Sequence, residues 1–360
     1  MMNENKQKNL AIEGLRGLAI LLVIDSHCGF LGQGGIANCI FFVLAGFFAI
    51  NSYVNRQSIH NWKDVLQFYF NKAIRILPLY YCVIVGVKML TNYAFFTSRE
   101  DFLKSIFFTK CYYHLWYVQN ILILFLVTPI LIKMIDFVKW VGYRIRIINK
   151  EKELWILCII CFGMSVLAHV FLGEEVISLQ ANDSYRLYLD NYLLGISCCY
   201  FYHAISTKKR EITKSQCIIL DLIGFAFLGM PFLTSYRILR KLNVKYGEIY
   251  VGWDFSYYVT IAVACLIIIV LINERGIVNK VLSSNILNKF GEVSYGMYLV
   301  HFFMVQTINL EDTIQTLIVI LFISYCIAYV LHVLVEKPFI LLKQKNGIKE
   351  FVSYYKKMLI

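Results

Sequence analysis

Residues Leu10-Ala-Ile-Glu13-Gly-Leu-Arg16-Gly-Leu-Ala-Ile-Leu-Leu-Val-Ile-Asp25-Ser-His27-Cys28 decide how the chain is to be read. The run is apolar enough for a membrane helix, yet it carries an acid, a guanidinium and an imidazole. The spacing of Arg16 and His27 leaves them about 20° apart around a helix and roughly 16 Å apart along it. Glu13 falls on the same stripe. Ionisable groups in the hydrocarbon region cost several kcal/mol unless they face a protein interior or a water-filled cavity, so the stripe is expected to be functional.

Composition sets the class. Of 360 residues, 59% are hydrophobic and only 16% charged, with a mean hydropathy of +0.63, which excludes an ordinary soluble chain. Apolar segments recur at 10–28, 36–54, 74–91, 114–135, 154–172, 185–204, 215–235, 255–273, 288–307 and 314–335. Each is long enough to cross a bilayer core of roughly 30 Å. They predict an all-α integral membrane bundle of about ten transmembrane helices. Arg186 and Asp190 fall near the start of the sixth segment. Pro231 is expected to kink or end the seventh, and Pro78 to bend the third helix or mark its first turn.

Lys and Arg set the orientation. With the N-terminus inside, 25 of the 35 fall on cytoplasmic segments and 8 on outer loops, while Arg16 and Lys88 are intramembrane. Both termini are therefore expected in the cytoplasm. This asymmetry accounts for the net charge of +12 without a nucleic-acid partner. Basic inner loops also suit anionic headgroups or a phosphorylated substrate. No A-x-A-like cleavage site follows the first span, which is expected to be retained. No repeat or linker divides the chain, so a single membrane domain over 1–345 and a short cytoplasmic tail over 346–360 are expected.

The eleven cysteines carry little chemistry. Cys158 and Cys161 form a C-x-x-C in a uniformly apolar helix, which points to packing, and Cys28, Cys39 and Cys111 lie near the outer face without a signal that they pair. P-loop, H-E-x-x-H and dinucleotide signatures are absent. Gly291, Ser294 and Gly296 lack the spacing of a nucleophile elbow, and His60 with Asp64 is too short a pattern to separate from chance.

Further landmarks follow in order: Gly34-Gly35, Phe41-Phe42-Val43-Leu44-Ala45-Gly46-Phe47, Lys72-x-x-Arg75-Ile76-Leu77-Pro78-Leu79-Tyr80, His114-Leu115-Trp116-Tyr117, Gly291-x-x-Ser294-Tyr295-Gly296-x-Tyr298-Leu299-x-His301 and Glu336-Lys337-Pro338. With Glu13-Gly-Leu-Arg16-Gly-Leu-Ala19 and the ten-residue gap to His27, they make the chain resemble acyltransferase family 3, the multi-span O-acyltransferases that decorate bacterial envelope polysaccharides and related glycans. Glu13 stands where that family commonly has Asp, Ala45 where it has Ser and Lys72 where it has Arg. Lys keeps the charge but not the planar fork that matches phosphate. The soluble hydrolase-like extension of some relatives does not follow in this sequence, so a second transfer step is expected to need another protein.

The resemblance implies transfer of an acetyl or other short acyl group from acyl-CoA to a glycan hydroxyl by a protein of the bacterial inner membrane. The residues suit that chemistry. A neutral imidazole removes a hydroxyl proton near pH 7, which makes His27, toward the outer half, the candidate base. Arg16, nearer the cytosol, is expected with Lys72 and Arg75 to hold the phosphates of coenzyme A. Glu13 is expected to support Arg16 one turn away.

In the ninth segment Gly291, Ser294, Tyr298 and His301 fall within an arc of about 80°. That polar face is expected either to bind and orient the acceptor or to make interhelical hydrogen bonds. The sequence leaves open which of His27 and His301 is the base. His114 and Trp116 are placed at the outer interface, as acceptor contacts or as members of an aromatic belt. His169, His203 and His332 are expected to be packed and hydrogen-bonded, Asp25 to reach the headgroups and Glu336 to be structural.

The expected partners are membrane lipids, acyl-CoA as donor and a glycan or lipid-linked sugar as acceptor, with no tightly bound cofactor and no metal. Two other classes compete. A glycan or lipid transporter would also bury polar residues among many helices, but no pair of matching broken helices in two halves is visible. A catalytically inactive membrane sensor of the same fold would have no need to keep Arg16 and His27 together.

Overall fold

The computed structural model describes residues 9–28, 34–56, 59, 61–91, 95–96, 98–109, 113–172, 187–207, 212–233, 235, 252–308, 314–343 and 347–358. Among them every regular element is helical. In chain order these are α1 (Leu10–Cys28), α2 (Gly34–Arg56), α3 (Trp62–Thr91), α4 (Arg99–Ile106), a 3-10 turn (Tyr113–Leu115), α5 (Trp116–Arg144), α6 (Glu153–Leu172), α7 (Leu189–Ser206) and α8 (Lys214–Leu233). They continue with α9 (Gly252–Ile272), α10 (Ile277–Leu282), α11 (Asn285–Glu292), α12 (Ser294–Ile308), α13 (Ile314–Leu331), a π turn (His332–Glu336), α14 (Lys337–Leu341) and α15 (Gly347–Met358).

Among the described residues, six helical stretches are long and apolar enough to cross a membrane: Gly34–Val54, Trp62–Leu90, Trp116–Arg144, Glu153–Leu172, Lys214–Leu233 and Ile314–Leu341. Their outward faces carry exposed apolar side chains such as Leu126, Ile130, Ile159, Leu222 and Phe322, as lipid contact requires. The number ten is not reached on that measure, although each of the ten apolar segments falls on a helix. α1 carries Glu13, Arg16 and Asp25, the apolar part of α9 is Tyr257–Ile272, and α12 has only 15 residues, about 22 Å of helix. Arg186 and the basic stretch 237–245, which entered the orientation argument, lie outside the described residues, as do His60 and Cys111.

Two of the expected segments are corrected by local chemistry. α3 begins at Trp62 and runs through Pro78, so Pro78 is interior to the helix and neither Lys72 nor Arg75 stands at its start. Its start is fixed by a reciprocal cap: Asn61 Oδ1 accepts from the Asp64 amide and an Asp64 carboxylate oxygen accepts from the Asn61 amide, both at 3.1 Å. The segment 288–307 is two helices that meet at Val293, whose φ of −103° and ψ of 10° end α11. Gly291 therefore belongs to a different helix from Ser294, Tyr298 and His301.

Small residues bring backbones together where the bundle is tightest. A Cβ on Gly46 of α2 would run into the Tyr192 carbonyl of α7, and one on Gly195 of α7 into the Val43 carbonyl of α2, so the two helices cross glycine against backbone in both directions. Asp221 pins α8 to the corner after α9. One carboxylate oxygen accepts from the Ile277 amide at 2.8 Å, while the other accepts from the Val278 amide and Asn273 Nδ2, both at 3.2 Å, which satisfies the first amides of α10. The tail expected over 346–360 is largely the helix α15, docked on the π turn through Tyr354 and Tyr355, whose hydroxyls donate to the Val333 and Leu334 carbonyls at 2.9 and 2.5 Å.

Gly195→Val should lower the thermal midpoint of the detergent-purified protein by the equivalent of about 1–3 kcal/mol, the cost of overpacking a closed contact. Asp221→Ala should cost about 1–3 kcal/mol through the amides it leaves unpaired. The two losses should add, because the sites share no partner.

Candidate active site

α1 and α12 lie against each other, and the polar residues of both gather on their seam at two levels. The first level is set by glycines. Gly14 and Gly17 flank Arg16, and a Cβ on either would strike the backbone of Leu282 or Leu287, while one on Gly291 would strike the Glu13 carbonyl. α1 thus meets α10 and α11 backbone to backbone, and Arg16 reaches the first turn of α12. Its Nη2 donates to Ser294 Oγ at 3.1 Å, and its Nη1 lies 3.5 Å from both carboxylate oxygens of Glu13. Ser294 is buried, and the Arg16 side chain is 19% exposed.

More cations collect here. Arg75 stands in the field of Arg16, with Glu336, Glu13 and Tyr117 around it. Lys72, one turn earlier on α3, lies 4.3 Å from the centre of the Phe125 ring and faces Arg75 and Lys343. Lys343 lies beyond the last span and is exposed as a residue. Desolvation of its ammonium, followed by the nearby Arg75, pushes it down to about 8 against the opposing pull of Glu336. Among the described residues, four cations thus face two carboxylates, Glu13 and Glu336. Of these, Glu336 is buried and bonded to His332 Nδ1 at 2.9 Å. A partly buried positive excess is costly unless an anion joins it.

The second level holds imidazoles. His27, at the end of α1, is exposed, and its ring centre lies 5.2 Å from that of His301 and 5.0 Å from that of Phe302. His301 is fully buried and 4.9 Å from His114, which is also buried. The Tyr298 hydroxyl donates to the His114 carbonyl, and the Tyr298 ring is 5.0 Å from that of Tyr117. Trp116 is held elsewhere, in a stack with Phe42 and Tyr188 at 6.4 and 5.6 Å.

The structure therefore brings together His27, His301, His114 and Tyr298 at one level and Glu13, Arg16, Ser294, Lys72 and Arg75 at the other. Asp25 is buried, at 5% exposure, and does not reach out to headgroups. His169 pairs with Asp190 at 2.8 Å and His203 with Asn51 at 2.8 Å, in line with packed, hydrogen-bonded roles. Lys343, Tyr117 and the Glu336 carboxylate at the cation cluster were missed as site residues. Glu336-Lys337-Pro338 and Tyr117 lie within landmarks visible in the sequence, whereas Lys343 has no local signal. Among the described residues no group of three or more His, Cys, Asp or Glu side chains is arranged to hold a metal ion. The seam offers an anion site about 16 Å along α1 from a proton acceptor.

The chain is 22% identical over 383 residues to the O-acetyltransferase OatA of Staphylococcus aureus (strain NCTC 8325 / PS 47), covering 96% of this chain and 59% of that protein. It is 23% identical over 376 residues to the peptidoglycan O-acetyltransferase OatA of Listeria monocytogenes serovar 1/2a (strain ATCC BAA-679 / EGD-e), covering 96% and 57%. It is 20% identical over 367 residues to a putative O-acetyltransferase of Staphylococcus aureus (strain COL), covering 94% and 58%. The chain thus spans less than three fifths of the length of each of these relatives. No solved structure matches it. The model of the acyltransferase domain family matches residues 9–336, a range that contains both levels of the α1–α12 seam, and the chain belongs to that family.

Proposed function

We propose that this multi-pass membrane protein is an O-acetyltransferase of the bacterial inner membrane, with both termini in the cytoplasm. It moves an acetyl or other short acyl group from acyl-CoA to a hydroxyl of an envelope glycan. Peptidoglycan, the acceptor named for the Listeria relative, is the first to test. The observation that carries the reading is the alignment on one seam of a cation cluster with an excess of positive charge and an exposed imidazole.

Arg16, Arg75, Lys72 and Lys343 take the phosphates of the donor, whose charge offsets their excess. Glu13 and Ser294 hold the Arg16 guanidinium in place from either side. The extended acyl arm then runs along α1 toward His27. His27 removes the acceptor hydroxyl proton as that oxygen attacks the thioester carbon. The carbon–sulfur bond breaks, and the proton passes from His27 to the departing thiolate, leaving an ester and free coenzyme A. Tyr298 and His114 form the wall behind this point.

With purified protein, acetyl-CoA and a short β-1,4-linked N-acetylglucosamine oligosaccharide, His27→Ala should lower kcat for thiol release by about 10²–10⁴-fold and leave the KM for acetyl-CoA within about twofold. Arg16→Ala should raise that KM by about 10–100-fold, the loss of a charge-assisted contact. If the wild type neither binds nor consumes acetyl-CoA, the donor is wrong and a transporter takes the place of the enzyme.

Lys343 adds a pH dependence. Its ammonium is charged below a pKa of about 8 and neutral above it. A contribution to phosphate binding is therefore present on the acid side and lost as pH rises. The KM for acetyl-CoA should climb between about pH 7 and pH 9 in the wild type, while Lys343→Met should show a raised KM that climbs less through that window.

A further inference from the structure

Among the described residues, two imidazole nitrogens in the buried wall have no partner. His301 Nδ1 lies 2.7 Å from the Tyr298 carbonyl and 3.2 Å from that of Met297. Carbonyls only accept, so Nδ1 carries the proton and Nε2 of the neutral ring is a bare lone pair. His114 Nε2 lies 3.1 Å from the Leu299 carbonyl, which by the same argument leaves its Nδ1 bare. Both bare nitrogens are fully buried and make no hydrogen bond. A buried acceptor left unmade keeps its full desolvation cost, so two of them beside one exposed histidine call for a donor.

His27 is the donor within reach. Among the described residues no hydrogen bond fixes either of its ring nitrogens, and His301 is the histidine ring in contact with it. Two imidazoles joined by a straight nitrogen–nitrogen hydrogen bond of about 2.9 Å have their centres roughly 5 Å apart. The observed separation is 5.2 Å with the planes tilted by 42°, a distance that fits such a bond once the exposed His27 ring turns toward His301.

We propose that His301 is the positioning residue of the catalytic histidine: its bare Nε2 accepts a hydrogen bond from the second ring N–H of His27, turning the other nitrogen toward the acceptor hydroxyl and supporting the imidazolium formed when that proton is taken. This rests on His27 being the base. The balance of the reaction is unchanged, since the hydroxyl proton still ends on the thiol. His301 supplies the fixed acceptor that a carboxylate supplies in a serine-hydrolase triad. The carbonyls of its own helix supply the anchor, much as outer-shell groups fix the tautomer of a metal-bound histidine.

The test is a mutant cycle in the thiol-release assay, with acetyl-CoA and the N-acetylglucosamine oligosaccharide. His301→Asn keeps an N–H for the Tyr298 carbonyl but has nothing at the Nε2 position, whereas His301→Gln places an amide oxygen near it. Asn should lower kcat by about 10–100-fold with both KM values within about twofold, and Gln should recover part of that loss. The double variant with His27→Ala should be no slower than His27→Ala alone, because residues acting as a unit are not additive.

Losses that multiply in the double variant would overturn the proposal and make His301 a packing residue. A raised acceptor KM with kcat intact would also overturn it, because His301 would then bind the sugar directly. If the Asn variant unfolds by thermal melting, the Gln variant carries the cycle. An active wild type with an additive cycle sinks this proposal alone, whereas a wild type that releases no thiol sinks the donor reading as well.

Discussion

The close approach of α1 to α10 and α11 is the constraint on which the rest of the site depends. Arg16 sits between two glycines whose faces are occupied by the backbone of Leu282 and Leu287, and Gly291 returns the contact against Glu13. A side chain at any of these positions would hold the helices apart, and the guanidinium could not reach Ser294 at 3.1 Å. The same contact explains why the ninth apolar segment breaks. α11 crosses α1, and the chain turns at Val293 so that α12 can run along it in the same direction. With Arg16 beside Ser294 near one end, a parallel course places His301 beside His27 near the other. One packing decision thereby builds both levels.

The two levels differ in charge, and the difference carries chemical meaning. The Arg16 level concentrates cations in a partly buried place. The Lys72 contact with Phe125, worth about 0.5–2 kcal/mol, softens the desolvation of one ammonium but removes no charge. A bundle selected for stability alone would pair each cation or omit it. The His27 level, by contrast, is made of imidazoles, tyrosines and phenylalanines, with its tautomers set by backbone carbonyls. One end of the seam suits a multiply charged anion and the other a neutral group that must give up a proton.

Much of this was legible in the sequence, because helical periodicity and the cost of intramembrane charge act locally. The span 10–28 is a helix as its pattern predicts, and Arg16 and His27 share a face. What escaped depends on contacts between distant residues or on competing local signals. Asn61 and Asp64 form a capping box that starts α3 twelve residues before its apolar run, which puts Lys72 and Arg75 in the helix interior. The break at Val293 has no proline to announce it and follows from the contact of Gly291 with α1. Asp25 lies off the Arg16–His27 stripe, and only the packing of the bundle shows that the face it occupies is covered. Lys343 reaches the cation cluster because α14, just before it, packs against α3, and hydropathy carries no information about that return.

The separation of the two levels restricts the donor more tightly than either level does. Roughly 16 Å of helix lies between Arg16 and His27. A donor whose acyl group is attached directly to its phosphate, as in an acyl phosphate, satisfies one level and leaves the other idle: either the cations are unoccupied or the imidazole faces no acyl carbon. A donor with its phosphates at one end, its thioester at the other and a flexible arm between them occupies both. Tyr117 stands in the field of Arg16 and Arg75 and has its ring 5.0 Å from that of Tyr298. Its aromatic face suits an uncharged arm and its hydroxyl suits the charged end. For the acyl-CoA donor we propose, the distance between Arg16 and His27 is then a determinant of donor choice.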